Sequence, residues 1–343
     1  MVNNTSSSGI ILFAKQSGLT SFSSLGAIKK ALHTNKVGHT GTLDSFAEGL
    51  MVVLTGSLTR LAPYFTAADK KYLAVVKFGS ETDTLEVSGK VIKTGPVPTK
   101  EQILSVLDNF KGSVQQIPPL YSAIHVEGKR ASDIVRSGKE LNIPSRQVEI
   151  YLLELLDFQD GYGLLEVHCS KGTYIRSLAR DIGQAVGSCA YLVALRRTAV
   201  GDFKLEDGLG LEYLQPFSIK SRGLPDLSFN PEVKDKIYST EFLNQIQQSL
   251  RPLSPKETFS CSLGTLFLKP EKLYDFRNGK PLQKSWFFLD AKGKTQFNKL
   301  QGNFSEYAVF SPTEIFLGIV KIQGCRIKYG FVVPGEANGD KGI

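Results

Sequence analysis

Residues 36–50, KVGHTGTLDSFAEGL, place two carboxylates four positions apart, Asp44 and Glu48. On a helix this spacing puts both side chains on one face, and a pair of carboxylates is the machinery of most glycosidases. Glu48 directly precedes a glycine, however, and an aspartate beside Gly and Thr is typical of a turn or a helix cap. Spacing alone therefore favours a turn or cap for Asp44 and leaves a two-carboxylate hydrolase as the weaker alternative.

Several other catalytic patterns do not occur in the sequence. The four histidines, His33, His39, His125 and His168, show no metal-ligand spacing such as H-x-x-x-H. There is no G-x-x-x-x-G-K-[ST] phosphate loop, no G-x-G-x-x-G turn and no G-x-S-x-G elbow. We therefore expect no metal and no cofactor, and ATPases, dehydrogenases and serine hydrolases are disfavoured.

Composition and cysteine usage indicate an ordinary globular chain of 343 residues, 41% of them hydrophobic. This length predicts two domains, or one large domain with an appendage. The four cysteines lie far apart without a C-x-x-C pair, which favours a reducing compartment over a disulfide framework. With no signal-like N-terminus and no apolar run of about 20 residues, we expect a soluble, cytoplasmic protein.

The net charge is +8, of which +2 falls in residues 1–215 and +6 in residues 216–343. Such an excess favours a polyanionic partner, first of all nucleic acid, with a merely solubilising surface as an equal alternative. One basic cluster has the residue types that contact phosphates, namely Lys129, Arg130, Arg136, Lys139 and Arg146. Sequence alone does not favour phosphate contact over a solvated face there.

Hydrophobic periodicity predicts the elements that must position these residues. Strands are expected at 9–15, 50–56, 71–79 and 121–126, and two more pair across the QDGYG turn at 159–163. Helices are expected at 20–32 after a Thr20 or Ser21 cap, at 99–110 after a Thr99–Gln102 capping box, and at 132–136, 171–187 and 239–250. Helices among strands without strict alternation favour a mixed α+β sheet over a doubly wound parallel one.

Four blocks of the sequence resemble, in order, the motifs of the TruB-type tRNA pseudouridine-55 synthases, the stand-alone bacterial type. They are KVGHTGTLDSFAEGLMVVLTGSLTRL, KKYLAVVKFGSETDTLEVSGKV, PPLYSAIHVEGKRASDIVRSGKE and CSKGTYIRSLARDIGQAVG with the following LVALRRTAVGDF. LYDFRNGKPLQ and EIFLGIVKIQGCRIKYGFVV are similar to parts of the small PUA-type RNA-binding barrel that many members carry. The blocks cover most of residues 9–205.

The resemblance implies a pseudouridine synthase fold, which is α+β with a mixed, mostly antiparallel central sheet and flanking helices, plus a small C-terminal PUA-like β-barrel. We expect a catalytic domain over 1–215 with an RNA-gripping insertion near 112–147, a linker over 216–257 and the PUA-like domain over 258–343. The implied partner is tRNA, bound through its T-arm loop by a monomeric protein, with no membrane and no small-molecule cofactor.

The resemblance also assigns roles to individual residues. Asp44 is implied to be the catalytic aspartate, Tyr72 the aromatic that packs on the target uracil, and Arg176 the arginine that pairs with Asp44. The residues implied to bind the substrate are Lys15, His39, Gly41, Thr42, Tyr121, Lys171 and Leu195. Among these, His39 is expected to help hold the RNA loop with its base extruded, and Leu195 to line the base pocket.

The chain departs from the family pattern in places. AKQSG stands where the family has D-K-P-x-G, and LDSFAEG where it has L-D-P-x-A-T-G. Neither change removes an implied catalytic residue, but the second leaves Glu48 without a family role. Three alternatives to a tRNA pseudouridine-55 synthase stay open: a non-catalytic tRNA-binding or folding module on the same scaffold, a guide-RNA-dependent relative, and the glycosidase.

Overall fold

The computed structural model describes residues 8–122, 124–126, 128–137, 141–222, 231–293, 304–323 and 326–334. The strands in these ranges are β1 Gly9–Lys15, β2 Val37–His39, β3 Glu48–Thr55, β4 Lys70–Phe78, β5 Ser80–Thr82, β6 Val91–Thr94, β7 Gly112–Gln116, β8 His125–Val126, β9 Lys129–Arg130, β10 Arg146–Gln159, β11 Tyr162–Cys169, β12 Ala190–Val200, β13 Phe203–Lys204, β14 Gly264–Leu268, β15 Phe287–Phe288, β16 Glu306–Phe310, β17 Phe316–Gln323 and β18 Arg326–Val332. The α-helices are α1 Gly26–Ala31, α2 Ala62–Thr66, α3 Lys100–Leu107, α4 Ala131–Arg136, α5 Ile175–Ala185, α6 Ile219–Arg222, α7 Pro231–Ile237, α8 Thr240–Ser249 and α9 Leu273–Arg277.

The larger sheet has the strand order β1-β3-β12-β4-β11-β10-β7, with β2 paired to β3 and β13 paired to β12. Its neighbouring strands are antiparallel except for β12 and β3, which run parallel. The prediction of a mixed, mostly antiparallel sheet with flanking helices is therefore confirmed. The parallel junction sets the start of β3 beside Arg196 and Arg197 of β12.

Strands β1 and β3 are buried on both faces, which explains the apolar runs Ile10–Ala14 and Leu50–Leu54 within them. Successive side chains of a strand point to opposite faces. Ile11, Phe13, Met51 and Val53 accordingly join a core that α1, α3, α5 and α8 cover. The residues between them, such as Leu12, join a second core on the other side of the sheet.

A second sheet, of five strands in the order β15-β14-β16-β17-β18, closes that other side. Phe267, Phe310 and Phe316 belong to the same buried cluster as Leu12 and Leu50 of the larger sheet. Within the described residues the two edge strands of this sheet do not pair with each other. The C-terminal sheet is thus packed directly on the sheet that carries the first two motifs.

The predicted elements are largely present, and two are shorter than expected. The Thr99–Gln102 capping box starts α3, and β10 and β11 form the expected hairpin. The expected helix at 20–32 is a 3-10 turn followed by the six-residue α1, because the Ser23 and Ser24 hydroxyls bond the Thr20 carbonyl and compete with regular helix bonds. The strand expected at 121–126 is limited to β8.

The stretch predicted to be a linker contains packed structure. Helix α8 begins at a Ser239 cap and buries Phe242 and Ile246 against the larger sheet. The domain boundaries themselves stay a prediction. In the part of the chain that the structure describes, no helix combines the length and apolarity that crossing a membrane requires.

Candidate active site

The loop between β2 and β3 carries Asp44 and is fixed from the end of β1. The Lys15 ammonium donates to the carbonyls of Ala47 at 2.5 Å, Gln16 at 3.1 Å and Ser45 at 3.3 Å. The Ser21 hydroxyl donates to the Leu43 carbonyl at 2.9 Å and accepts from its N–H at 2.8 Å. This bracing leaves the Asp44 side chain 36% exposed at the wall of a cavity.

Arg176 faces Asp44 from the second position of α5. Its Nη2 donates to Oδ1 of Asp44 at 3.3 Å, while Nε lies 3.0 Å from Oδ2 without hydrogen-bond alignment. The guanidinium also donates to the carbonyls of Thr84 and Tyr121, at 3.1 and 3.0 Å. A permanent cation and a helix N-terminus therefore both face the Asp44 carboxylate.

Glu86 is a second carboxylate on the same arginine. Its Oε2 lies 3.6 Å from Nη1 of Arg176, and its side chain is 12% exposed. Burial raises the pKa of Glu86, and the charge of Arg176 opposes that rise. Arg176 is thus held between Asp44 at the cavity and Glu86 behind it, so its guanidinium has little freedom to turn.

The cavity has a volume of about 300 Å³. Its lining residues are Gly41, Thr42, Leu43, Asp44, Thr66, Lys70, Tyr72, Arg146, Ser170, Gly172, Thr173, Tyr174, Ile175, Arg176, Leu195 and Arg197. Tyr72 comes from β4 and Leu195 from the neighbouring β12. Burial raises the pKa of the Tyr72 phenol to about 12, and the charge of Arg197 opposes that rise.

Basic side chains give the rest of the cavity wall a positive potential. Arg197 is 2% exposed, and burial lowers the pKa of Lys70 to about 8. The guanidinium of Arg146 lies 4.6 Å from the centre of the Tyr174 ring, and both residues line the cavity. This arrangement suits a substrate that brings negative charge with it.

The structure brings most of the predicted site residues together. Asp44, Tyr72, Arg176 and Leu195 share the cavity with Gly41 and Thr42. His39 ends β2 two residues before Gly41, whose N–H it accepts at Nδ1, 3.4 Å away. Burial and the charge of Arg197 lower the pKa of His39, so its ring is neutral at pH 7.

Three further predicted residues are placed outside the cavity wall. Lys15 is fully buried beneath the Asp44 loop. Tyr121 contributes its carbonyl to Arg176. Lys171 is exposed between two lining residues, Ser170 and Gly172.

Within the basic cluster, Arg146 is at the cavity. Lys129 and Arg130 form β9, Arg136 ends α4, and Lys139 lies outside the described residues.

Sequence reasoning missed Glu86, Arg197 and Lys70. Glu86 contacts Arg176, and Arg197 is brought to the site by the pairing of β12 with β4. No spacing in the sequence signals either contact. The LRRT motif that pointed to Leu195 offered the nearest hint for Arg197, and KKY the nearest hint for Lys70.

Glu48 does not line the cavity and instead forms two ion pairs. Arg196 and Arg222 both contact its carboxylate, and the side chains of all three are at most 15% exposed. A second catalytic carboxylate at this position is therefore not supported. Among the described residues, no group of three or more His, Cys, Asp or Glu side chains is arranged to hold a metal ion.

Comparison with solved structures defines the fold class. The chain resembles a protein in the crystal structure of a Cbf5–Nop10–Gar1 complex with a TM-score of 0.63, at 24% identity over 95% of this chain and 85% of that one. Residues 29–175 match the N-terminal domain of the TruB family pseudouridylate synthases, and residues 176–227 match the tRNA pseudouridylate synthase B C-terminal domain. The class is thus that of the pseudouridine synthases.

Two curated relatives narrow this class. A Treponema denticola protein named tRNA pseudouridine synthase B is 41% identical over 94% of this chain and 98% of its own length. A Borreliella burgdorferi (strain ZS7) protein of the same name is 45% identical over 62% of this chain and 77% of its own length. The chain belongs to the TruB family of pseudouridylate synthases, which confirms the resemblance of its motifs.

Proposed function

We propose that this protein is a tRNA pseudouridine synthase that isomerises the T-loop uridine at position 55 to pseudouridine. One observation carries the proposal. In this member of the TruB family, Asp44, paired with Arg176, and the buried Tyr72 line the same cavity of about 300 Å³. The two curated relatives bear the name of this activity.

The isomerisation of uridine to pseudouridine requires a carboxylate positioned beside C1′ and C6 of the nucleotide. The N1–C1′ bond of the uridine breaks, a C5–C1′ bond forms, C5 loses its hydrogen and N1 gains one, so nothing is oxidised or consumed. Asp44 is the catalytic residue, and it acts either by adding to the base or sugar or by removing a sugar proton. In each case it must be ionised, which its contact with Arg176 supports.

Tyr72 and Leu195 form the base pocket in this proposal. The target base must leave its stack, at a cost of a few kcal/mol. Stacking on an aromatic ring stabilises an extruded base by about 1–3 kcal/mol. Tyr72 is suited to offset part of that cost, and its hydroxyl is placed to relay the C5 proton.

The remaining site residues act on the RNA or on the loop. His39, neutral at pH 7, helps hold the RNA loop with its base extruded, and Gly41 and Thr42 shape the cavity wall. Lys171 is exposed beside the cavity, and we propose that it binds the tRNA substrate. Lys15 acts on the substrate indirectly, by holding the Asp44 loop in place. Tyr121 also acts indirectly, because its carbonyl accepts a hydrogen bond from Arg176.

At the scale of the chain, we propose a catalytic domain over residues 1–215 with an RNA-gripping insertion near 112–147. Residues 216–257 connect it to a PUA-like RNA-binding domain over 258–343. The partner is the T-arm of tRNA, and we expect the protein to act as a monomer in the cytoplasm.

The test is to map pseudouridine in tRNA after incubation with the protein. Unmodified tRNA transcripts should gain pseudouridine at position 55 and at no other uridine of the T-arm. A transcript that is bound but never modified would favour the non-catalytic tRNA-binding module. Modification that appears only after a guide RNA is added would favour the guide-dependent alternative.

A further inference from the structure

Arg197 is among the largest fully buried side chains in the described part of the chain, at 2% exposure. It lies on β12 directly opposite Tyr72 on β4, in the register of the two strands. Both residues line the cavity. A fully buried guanidinium is therefore placed against the tyrosine of the proposed active site.

The partners of this guanidinium are neutral. Nε donates to the Leu50 carbonyl at 2.8 Å, Nη2 donates to the Gly41 carbonyl at 3.1 Å, and the group also hydrogen-bonds the Tyr72 hydroxyl. Within the described part of the chain, no carboxylate forms an ion pair with it. Burying a cation without a counter-ion is costly, so a role beyond packing is expected.

We propose that Arg197 is a positioning residue for Tyr72, an inference that rests on the proposed function. The guanidinium has only N–H donors, so the Tyr72 oxygen must accept from it. The proton of the hydroxyl then points elsewhere, and the open direction is the cavity. Through Gly41 the same guanidinium fixes the loop that leads to Asp44. Arg197 thus sets the geometry between the proton-relaying hydroxyl and the catalytic carboxylate.

Electrostatics support this geometry. Burial raises the pKa of Tyr72 to about 12, and both the charge of Arg197 and its hydrogen bond oppose that rise. The other charged or titratable groups around the phenol are Asp44 in its loop, Cys169 on β11, Lys70 on β4 and Arg176 on α5. Asp44 and Cys169 act in the raising direction. Arg197, by contrast, acts in the lowering direction through both its charge and its hydrogen bond.

The rival explanation is purely structural. Arg197 joins β12 to β3 through the Leu50 carbonyl, and its loss could simply loosen that junction. Stability measurements alone do not separate the two explanations. A direct readout of the Tyr72 phenol does, because a structural role predicts no change in its acidity.

The experiment introduces 3-fluorotyrosine at position 72 alone and follows its ¹⁹F resonance against pH. We expect Arg197→Gln to raise the phenol pKa by about 1 or more. In single-turnover assays at saturating tRNA, Arg197→Gln made in the unlabelled protein should slow pseudouridine formation by at least about tenfold, with tRNA affinity unchanged. Arg197→Lys keeps the positive charge, so it should restore most of the wild-type phenol pKa and most of the wild-type single-turnover rate.

The matched control is Arg196→Gln, which removes the neighbouring arginine of the same strand and its ion pair with Glu48. It should lower stability while leaving the phenol pKa and the single-turnover rate near wild type. A folded Arg197→Gln protein whose phenol pKa equals that of wild type would overturn the proposal. The titration needs no turnover, so a wild type that forms no pseudouridine would defeat the proposed function and not this inference.

A second readout leaves position 197 unchanged, in case Arg197→Gln does not fold. In ¹⁵N-arginine-labelled protein, the guanidinium resonances of Arg197 should shift when Tyr72→Phe removes the hydroxyl. Resonances that stay in place would show that the two groups do not interact, and the inference would then fail.

Discussion

At the scale of single residues, the site is built from charges that are buried unequally. The Asp44 side chain is 36% exposed, whereas Arg176, Arg197 and Lys15 are each at most 5% exposed. The buried Arg176 pairs directly with the Asp44 carboxylate, and the buried Arg197 holds Gly41 in the same loop. Asp44 is therefore the partly exposed member of a largely buried charged cluster.

Lys15 makes this electrostatic design measurable. Burial lowers its pKa from 10.5 to about 7. The folded-state pKa of Lys15 lies below the unfolded value, and above about pH 10.5 the side chain is neutral in both states. As the pH falls from 10.5 toward 7, the unfolded chain binds a proton at Lys15 that the folded protein does not bind, so the free energy of unfolding decreases. We expect the free energy of unfolding of wild type to rise with pH between 7 and 9.5, relative to Lys15→Met, by up to about 1.4 kcal/mol per pH unit.

Urea denaturation at several pH values measures this difference. Lys256→Met, which removes an exposed lysine, is the control, and its unfolding free energy should run parallel to that of wild type across the range. A constant difference between wild type and Lys15→Met would show that Lys15 does not titrate as its burial requires.

At the scale of elements, the parallel pairing of β3 with β12 is the junction on which the site is built. Gly49 adopts a φ of +104° there, and a Cβ at that position would lie 2.4 Å from the Arg197 carbonyl oxygen. The preceding residue, Glu48, is clamped by Arg196 of β12 and by Arg222 of α6. The Phe217 ring lies 4.9 Å from the Arg196 guanidinium. Glu48 therefore ties the segment after β13 to the sheet.

This anchoring predicts that Glu48→Gln separates stability from catalysis. Loss of the carboxylate leaves two poorly exposed arginines without their counter-ion, and we expect about 1–3 kcal/mol of lost unfolding free energy. Pseudouridine formation at saturating tRNA should stay within a few-fold of wild type, because Glu48 does not reach the cavity.

A double-mutant cycle with Arg222→Gln checks that the loss arises from the ion pair. Abolished turnover in a folded Glu48→Gln protein would instead revive a paired-carboxylate mechanism.

Local elements were predictable from sequence where local rules decide them. The Thr99 capping box and the hairpin of β10 and β11 follow from residues close in the chain. The family could be recognised from the Asp44 motif because that motif is contiguous. The contacts of Glu86 and Arg197 were not predictable, because each depends on strands or loops that are brought together only by the register of the folded sheet.

At the scale of the whole molecule, the two sheets share one buried cluster. Leu12 and Leu50 of the larger sheet pack with Phe310 and Phe316 of the smaller one. The Tyr64 hydroxyl on α2 also hydrogen-bonds the Glu306 carboxylate on β16. The C-terminal sheet is therefore a structural support for the sheet that carries Tyr72, whatever it contributes to RNA binding.

Deleting residues 259–343 should consequently destabilise the remaining protein, because the apolar face of β1 and β3 would meet water. Scanning calorimetry of the full chain should give one cooperative transition, and the truncated protein should unfold at a lower temperature. Two separate transitions, with the truncated protein keeping the midpoint of one of them, would show that the sheets are independent.

The central claim is that Asp44 performs the isomerisation of a tRNA uridine. Tritium release from tRNA labelled at uridine C5 reports that reaction directly, because C5 must lose its hydrogen when it bonds to C1′. Asp44→Asn should abolish release while tRNA affinity stays within a few-fold of wild type. The control Asp181→Asn, at a carboxylate paired with Arg180 outside the cavity, should release tritium at the wild-type rate. Normal tritium release by Asp44→Asn would contradict the assignment.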